Sequence, residues 1–497
     1  TNDYALIQEK RIYFDGEDYW YPVRVNAISG SNEFGDFSNL GWVKSDAIFF
    51  KELSEDYKKP DVALPKKWYS LKNQIPKDFA TTENNWWENC DDPLLNYLIA
   101  IAIENNHDYK IAISKVLEAR ANVDLKNSDL FPKASGSFLG SRRNNFFNPI
   151  NPNKHPIINF FTAGFDASWE LDLFGSNYSA KQSAKALWQA SDEAKNYILI
   201  SLIAEVAKNY FDYRANQNNL FWQAKINKSY EEIIKLNEQK KNTGLISEID
   251  FSKILIEAIN SKVELAAYQA KAQISLYNLE FLLGKNPGEM KNYLDDRYEI
   301  PILKNTLLNL APVSLLRNRP DVKQAERELE SAFAMKSYAI AQVFPKISLS
   351  GFLGFNNTKS GNLLNASSRV FSTQAGVSMP VINFGGLSAA IKISDERKRQ
   401  ALINYQAKVN KALFDAESAM IDFIKEEEKL SLENKSHRIN QMITEVNQKR
   451  LKNGMISDIE YLQSNIDLMM AKQKLNQVKL NYDIKAVALY KALGGGW

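Results

Sequence analysis

The chain has 497 residues, 44% apolar and 24% charged, the balance of a folded protein long enough for several domains. Its 62 Lys and Arg are scattered among 59 Asp and Glu for a net charge of +3, and no basic stripe forms, so no nucleic-acid partner is expected. The single cysteine, Cys90, excludes an intrachain disulfide.

Residues 1–50 contain Arg11-Ile12-Tyr13-Phe14, Trp20-Tyr21-Pro22-Val23 and Gly41-Trp42-Val43-Lys44, short β-like runs broken by Gly, Asn and Asp. They predict an extra N-terminal module, either a small all-β domain or an ordered extension. Residues 51–91 read as a connecting segment in which Cys90 is a small buried hydrophobe beside Trp86 and Trp87. No signal peptide opens the chain at Thr1, so a leader is expected to have been removed before it. No apolar run reaches the length of a spanning helix; Tyr197–Ala204 comes nearest and Glu205 ends it. Barrel strands are short and alternating, so a membrane barrel stays open.

Residues 92–311 form a first structural unit. A helical stretch runs from Asp92 to Asp129, with Asp92 as cap and Pro93 at the first helical position. A strand over Ala134–Arg142 and an Asn- and Pro-rich loop over Asn144–Pro156 follow. Next comes a run in which Phe161, Ala163, Phe165, Ala167, Trp169 and Leu171 alternate with Thr162, Gly164, Asp166, Ser168, Glu170 and Asp172. From Ser176 to Lys241 there is no proline, and a helix of that length extends about 95 Å at about 1.5 Å per residue. Gly244 then turns the chain, Ser247 can cap a returning helix, and the two make a helical hairpin.

Residues 312–497 repeat this order. A helical stretch over Pro312–Gln342 leads to a strand over Lys346–Phe355, where Ile347, Leu349, Leu353 and Phe355 alternate with Ser348, Ser350 and Gly354. A loop over Asn356–Ser368 leads to Phe371, Thr373, Ala375, Val377, Met379 and Val381, alternating with Ser372, Gln374, Gly376 and Ser378. A proline-free run from Leu387 to Lys452 ends at a turn around Gly454, with Ser457 as the cap of the return. Phe174-Gly175 recurs as Phe384-Gly385, Gly244 as Gly454, and Leu283-Gly284 as Leu493-Gly494, all at an offset of 210 (384 − 174).

Each strand has one apolar and one polar face, as lipid outside and water inside would require. The residues expected to face lipid are Phe161, Phe165, Ala167, Trp169, Leu349, Leu353, Phe371 and Val377. A half-buried sheet of a soluble protein alternates in the same way. The adjoining helices are too long for one compact domain, which favours the barrel. Four strands cannot close a barrel, since the smallest have about eight, so several chains must each supply four.

The chain resembles the TolC-type outer-membrane factors, of the branch serving resistance-nodulation-division multidrug pumps, from Asp56 to Trp497. The carriers are Asp56-Tyr57-Lys58-Lys59-Pro60, Trp87 with Asp92-Pro93, and Glu104-Asn105-Asn106 with Asp108. Further markers are Asp129-Leu130-Phe131-Pro132, Trp169-Glu170-Leu171-Asp172-Leu173-Phe174-Gly175, Arg319-Pro320-Asp321, Phe344-Pro345 with Ser348-Leu349, and Leu489-Tyr490-Lys491-Ala492-Leu493-Gly494 with Gly495-Gly496-Trp497. The resemblance implies a mixed α and β membrane protein: a homotrimer with a twelve-stranded barrel in the outer membrane of a Gram-negative bacterium, continued by a helical periplasmic tunnel. It implies a passive channel and not an enzyme, with a periplasmic adaptor, an inner-membrane pump and outer-membrane lipid as partners.

It also implies a periplasmic tip, in contact with the adaptor, at Gly244, Leu245, Ser247, Gly454, Met455 and Ser457. Glu248, Asp250, Asp458, Ile459, Glu460, Tyr461 and Gln463 are the candidate lining of an aperture there. For the acids, stabilisation of a first helical turn by the helix dipole is the simpler role. The family's gate aspartate is replaced by Gln463, which leaves Ile459 and Tyr461 as an apolar constriction. Arg317 and Arg319 read as a structural salt-bridge element. A lipid anchor is expected only upstream of Thr1, since Ala47–Lys51 holds no cysteine.

No cofactor and no metal are expected: His107, His155 and His437 lack ligand spacing, and no phosphate loop or nucleophile elbow occurs. Two other functions fit parts of the pattern. A duct for type I protein secretion or metal-ion efflux shares the fold. A soluble coiled-coil scaffold explains the helices but not the strands or the repeat.

Overall fold

The structure, a computed structural model, describes residues 57–60, 65, 68–69, 85–144, 157–291, 293–294, 300–303 and 313–494, with strand residues 13–14 and 19–20. β1 (Tyr13–Phe14) pairs antiparallel with β2 (Tyr19–Trp20). The remainder of the expected 1–50 module, and residues 145–156 of the first loop, lie outside the described residues.

The chain divides into two compact units. One comprises residues 117–190 and 325–405, with 57–60. Its centre is a sheet of β3 (Lys133–Asn144), β4 (Ile157–Leu171), β5 (Lys346–Asn357) and β6 (Arg369–Ser378), in the order β3-β4-β5-β6 and antiparallel throughout. The central β4–β5 ladder therefore joins the two halves of the repeat. β6 stops at Ser378, short of the alternation expected to Val381, because Pro380 has no N–H for a ladder. The second loop is not irregular throughout, since short 3₁₀ turns occupy Ser360–Asn362 and Ala366–Ser368.

The other unit comprises the described residues of 61–116, 191–324 and 406–497. Where one helical stretch was expected from Asp92, there are two helices, α1 (Pro93–Asn105) and α2 (His107–Ser128). Asn106 makes the break: its backbone turns extended, its Oδ1 accepts from Tyr109 N at 3.0 Å, and its Nδ2 donates to the Leu282 carbonyl at 2.9 Å. Asp92 caps α1 by accepting from Leu94 N, and it also accepts from the Tyr210 hydroxyl at 2.5 Å.

Both long runs are helical. α3 (Ser176–Asn242) and α6 (Gly386–Lys452) have 67 residues each, about 100 Å at about 1.5 Å per residue, and residues of both fall in both units. The returning helices are α4 (Glu248–Leu282) and α7 (Asp458–Leu493). In the second unit α7 is fastened to α3 by the amides of buried Asn476 and half-buried Gln473. Asn476 Nδ2 donates to the Ala215 carbonyl at 3.1 Å and to Asn219 Oδ1 at 2.8 Å, and Gln473 Nε2 donates to Gln223 Oε1 at 3.0 Å. Such contacts set helix register, because a slip leaves buried amides unpaired.

In place of the expected second stretch from Pro312, a 3₁₀ segment (Val313–Asn318) precedes α5 (Pro320–Ala341). Arg319 sits at that junction. It donates to both Asp321 oxygens at 3.0 and 2.9 Å and to the Ala492 carbonyl at 2.7 Å, so it clamps the end of α7. Gly494 is left-handed, and a Cβ there would lie 2.7 Å from Arg319 Cγ, so only glycine permits this approach. Trp86 stacks on Tyr490 with ring centroids 5.3 Å apart, and Cys90 is buried beside it. Burial pushes the Cys90 thiol well above its ordinary range.

Asp483 on α7 is 0% exposed; one oxygen accepts from Leu303 N at 3.0 Å and the other has no hydrogen-bond partner among the described residues. Burial pushes its carboxyl up to about 7. The folded state thus holds the proton more tightly than the unfolded chain, whose carboxyl titrates near about 4, and stability falls as pH rises from about 4 to about 7. Asp483→Asn is expected to flatten that fall and to raise the melting midpoint at about pH 8, through a stabilisation of no more than about 4 kcal/mol. Melting curves of the two proteins at several pH values check this, and superimposable pH profiles would contradict it.

Candidate functional site

Residues directly opposite in an antiparallel ladder share a face. Along the sheet Phe165 lies opposite Leu353, and Leu353 opposite Phe371. Trp169 lies opposite Leu349, Ala167 opposite Gly351, Phe161 opposite Asn357, and Val377 opposite Ile347. The register therefore sets Phe161, Phe165, Ala167, Trp169, Leu349, Leu353, Phe371 and Val377 on one face, joined by Phe138 and Phe355. In the single chain this face is bare: Phe371 is 80% exposed, Val377 71%, Phe165 69% and Leu353 67%. A contiguous apolar patch of this kind marks an interaction surface.

The opposite face carries Ser135, Ser137, Thr162, Asp166, Ser168, Glu170, Ser348, Ser350, Ser372 and Gln374. Ser137 Oγ donates to Asp166 at 2.6 Å, and Lys346 pairs with Glu170 at 3.5 Å. Leu139, Phe160, Phe352 and Val370 interrupt the polar face, and the surroundings of Phe352 explain its place. Gly164 and Gly354 lie opposite one another, and a Cβ on either would come within 2.8 Å of Phe352 Cζ. The ring covers the two glycines at the ladder that joins the repeats. The outer strands β3 and β6 are each paired on one side only among the described residues.

In the second unit, each helical hairpin turns through a left-handed glycine, Gly244 (φ 75°) or Gly454 (φ 65°). At the first turn Leu245 N donates to the Lys240 carbonyl at 2.8 Å and Gly244 N to that of Lys241 at 2.9 Å. At the second, Met455 N donates to Arg450 O and Gly454 N to Leu451 O, both at 2.9 Å. This crossed pattern satisfies the last carbonyls of each helix. Ser247 caps α4 and Ser457 caps α7, the latter in a reciprocal capping box with Glu460. Leu245 and Met455 project from the turns, 73% and 66% exposed.

The candidate aperture residues have local partners. Glu248 pairs with Lys241 at 2.6 Å, and Asp250 is bonded to Ser247 Oγ at 2.7 Å and Lys253 at 3.1 Å. The bonds to Ser247 and Lys253 hold the Asp250 carboxyl below its usual range, and those to Ser457 do the same for Glu460. Gln463 donates to Asp467 at 3.3 Å. Ile459 packs against the cluster of Ile226, Tyr230, Ile233, Ala258, Ile466 and Met469 that joins the hairpins, and Tyr461 is half-buried. Asp458 and Ile459 line an open groove of ≈ 250 Å³ with Leu236, Gln239, Lys240, Thr243 and Ser457. Nothing in the sequence spacing singles out Lys472, whose Nζ lies 4.2 Å from the Trp222 ring centroid, with Lys225 Nζ at 4.9 Å. Among the described residues no group of three or more His, Cys, Asp or Glu could hold a metal ion, and no helix is long and apolar enough to cross a membrane.

The family model described as outer membrane efflux protein matches residues 98–285 and 311–495. The chain is 28% identical over 454 residues to the probable efflux pump outer membrane protein TtgC of Pseudomonas putida, covering 90% of this chain and 92% of that one. It is 25% identical over 451 residues to the cation efflux system protein CusC of Escherichia coli, covering 90% and 95%. Among solved structures, the outer-membrane channel OprN superposes with a TM-score of 0.80 at 27% identity, covering 89% of this chain and 99% of that chain. The CmeC outer membrane channel of Campylobacter jejuni superposes at 0.81 with 23% identity, covering 90% and 95%, a likeness of fold.

The sheet geometry yields a contrast between two glycines on one strand. A Cβ at Gly354 would lie 2.4 Å from the Ala163 carbonyl, whereas one at Gly351 would meet only Ser372 O at 3.7 Å. Gly354→Ala is expected to lower the folding equilibrium constant more than about tenfold, a destabilisation above about 1.4 kcal/mol, while Gly351→Ala leaves it near the parent level. Protease resistance of the two purified variants checks this.

Proposed function

Because the chain belongs to the outer membrane efflux protein family, we propose that three copies form a passive outer-membrane channel of an efflux system, conducting small molecules to the exterior. The observation that carries this reading is the four-stranded sheet, with one bare apolar face, one polar face and two half-paired edge strands. Lipid satisfies the apolar face, and water in the lumen satisfies the polar one. Unpaired backbone groups cannot remain at an edge inside hydrocarbon, so the edges must meet edges of other copies. Four strands per chain make a closed barrel only in an oligomer, and three chains give twelve strands.

Charge supports the orientation. The end of the sheet where β3 leads to β4 and β5 to β6, over described residues 141–144, 157–160 and 355–370, contains Arg142, Arg143, Lys359 and Arg369 and no Asp or Glu. That end faces out, toward an anionic surface, and the helices enter at the other end, from the periplasm. The tip residues Gly244, Leu245, Ser247, Gly454, Met455 and Ser457 dock a periplasmic adaptor, with Leu245 and Met455 as apolar contacts and the groove beside Asp458 as a seat. Glu248, Asp250, Asp458, Ile459, Glu460, Tyr461 and Gln463 line the aperture of the assembled channel. Energy comes from an inner-membrane pump, and the chain itself performs no chemistry. The relatives described above are named for efflux, which gives no support to a protein-secretion duct or a soluble scaffold.

The deciding measurement is the native mass after extraction from outer membranes: a detergent-dependent assembly of three chains supports the channel, and a detergent-free monomer overturns it. Ala167→Lys and Val377→Lys, each placing charge on the lipid face at a cost of roughly 2–4 kcal/mol, are expected to lower the trimer recovered from outer membranes severalfold. Ser350→Lys, on the polar face, is expected to leave trimer recovery near normal, and equal recovery of all three would refute the face assignment. Gly454→Pro is expected to abolish efflux complementation while trimers still form, and full complementation would remove the tip assignment.

A further inference from the structure

Within one chain the two halves of the repeat are locked by an aromatic pair where the sheet meets the helices. Phe174, three residues after β4, stacks on Phe344, two residues before β5, with ring centroids 5.0 Å apart and planes at 14°. The same joint holds α3 to α5. Ser183 Oγ and Ser331 Oγ lie 2.8 Å apart and buried, and Gln342 Nε2 donates to Ser176 Oγ at 2.5 Å.

The repeat produces the other half of each contact and leaves it empty. Phe384 is the repeat counterpart of Phe174 and lies six residues after β6, and Phe131 precedes β3 by two residues as Phe344 precedes β5. β3 and β6 are the two edge strands. Phe384 is 100% exposed and Phe131 58% exposed. Phe384 also holds a left-handed backbone (φ 43°), a conformation that costs energy for any residue with a side chain. A bare aromatic ring in a strained backbone gains nothing within one chain. The flanking helices repeat the pattern: Ser183 is buried in α3, but its counterpart in α6, Ile393, is 53% exposed, and α2 leaves Leu117 and Leu125 59% and 61% exposed.

We propose that Phe384 of one copy stacks on Phe131 of the next, reproducing between chains the Phe174–Phe344 joint within the chain. The same seam covers Ile393 of one copy with the Leu117–Leu125 face of the other. The inference rests on the reading that copies of this chain close a ring by pairing β6 with β3, and it names the side chains that lock the closure. Around the ring, intrachain and interchain joints then alternate, so the assembly contains one kind of aromatic lock used twice per chain.

Photo-crosslinking tests it in the full chain within membranes. With p-benzoylphenylalanine at position 384, irradiation is expected to give covalent multimers whose linked peptide contains residue 131. With the same residue at 174, it is expected to give an intrachain link to the peptide containing residue 344 and no multimer. A second readout is the temperature at which the detergent-solubilised trimer dissociates. Phe131→Ala, Phe384→Ala and the double variant should lower it by a similar amount, because each removes the same pair, and Phe384→Trp should retain most of it. Three chains by native mass with crosslinks mapping away from residue 131, or additive effects of the two alanine variants, would overturn the aromatic lock alone. A native mass of one chain would overturn the channel reading together with it.

Discussion

The unsatisfied edges of the four-stranded sheet are the constraint on which the rest of the structure depends. β3 and β6 each present a row of backbone N–H and C=O groups with no strand partner among the described residues. In water such edges invite uncontrolled pairing, and in hydrocarbon each unpaired group costs several kcal/mol, on the order of a lost hydrogen bond in an apolar solvent. The bare face formed by Phe165, Leu353, Phe371 and Val377 makes water a poor environment for this sheet. Lipid suits that face, and closure with further copies satisfies the edges. Oligomerisation is thus a requirement of the backbone before it is a matter of side-chain affinity.

The repeat supplies closure economically. A unit that pairs its second strand with the third strand of its own chain also offers a fourth strand that can pair with the first strand of a neighbour. The internal β4–β5 ladder, with its Phe174–Phe344 stack, is the intrachain counterpart of the proposed seam. Left-handed glycines recur at the matching places, Gly175 with Gly385, Gly244 with Gly454, and Gly284 with Gly494. The last two pairs follow the ends of the corresponding helices, α3 with α6 and α4 with α7.

The helical unit solves a different problem. Rods as long as α3 and α6 have many nearly equivalent packing registers, and apolar contacts alone choose among them weakly. The amides of Asn476 and Gln473 and the cluster of Ile226, Tyr230, Ile233 and Ile466 make the choice, since a shifted helix strands both. At the tip, capping and ion pairing occupy Glu248, Asp250 and Glu460 in the single chain. A carboxylate engaged as a cap keeps its charge, so capping is compatible with the proposed aperture role.

The sequence by itself determined what depends on neighbours along the chain. Period-2 alternation from Phe161 to Leu171, the proline-free helical runs, the glycine turns with Ser247 and Ser457 behind them, and the 210-residue repeat all express local geometry, so they are legible in residue order. The break at Asn106 was not, because that residue leaves the helix to hold the Leu282 carbonyl, a partner 176 positions away. Nor could residue order show that β4 pairs with β5, that Phe352 shields two glycines, or that one oxygen of Asp483 lies buried without a partner among the described residues. Those features belong to the tertiary structure, because each is decided by a residue distant in sequence whose approach only the folded chain arranges.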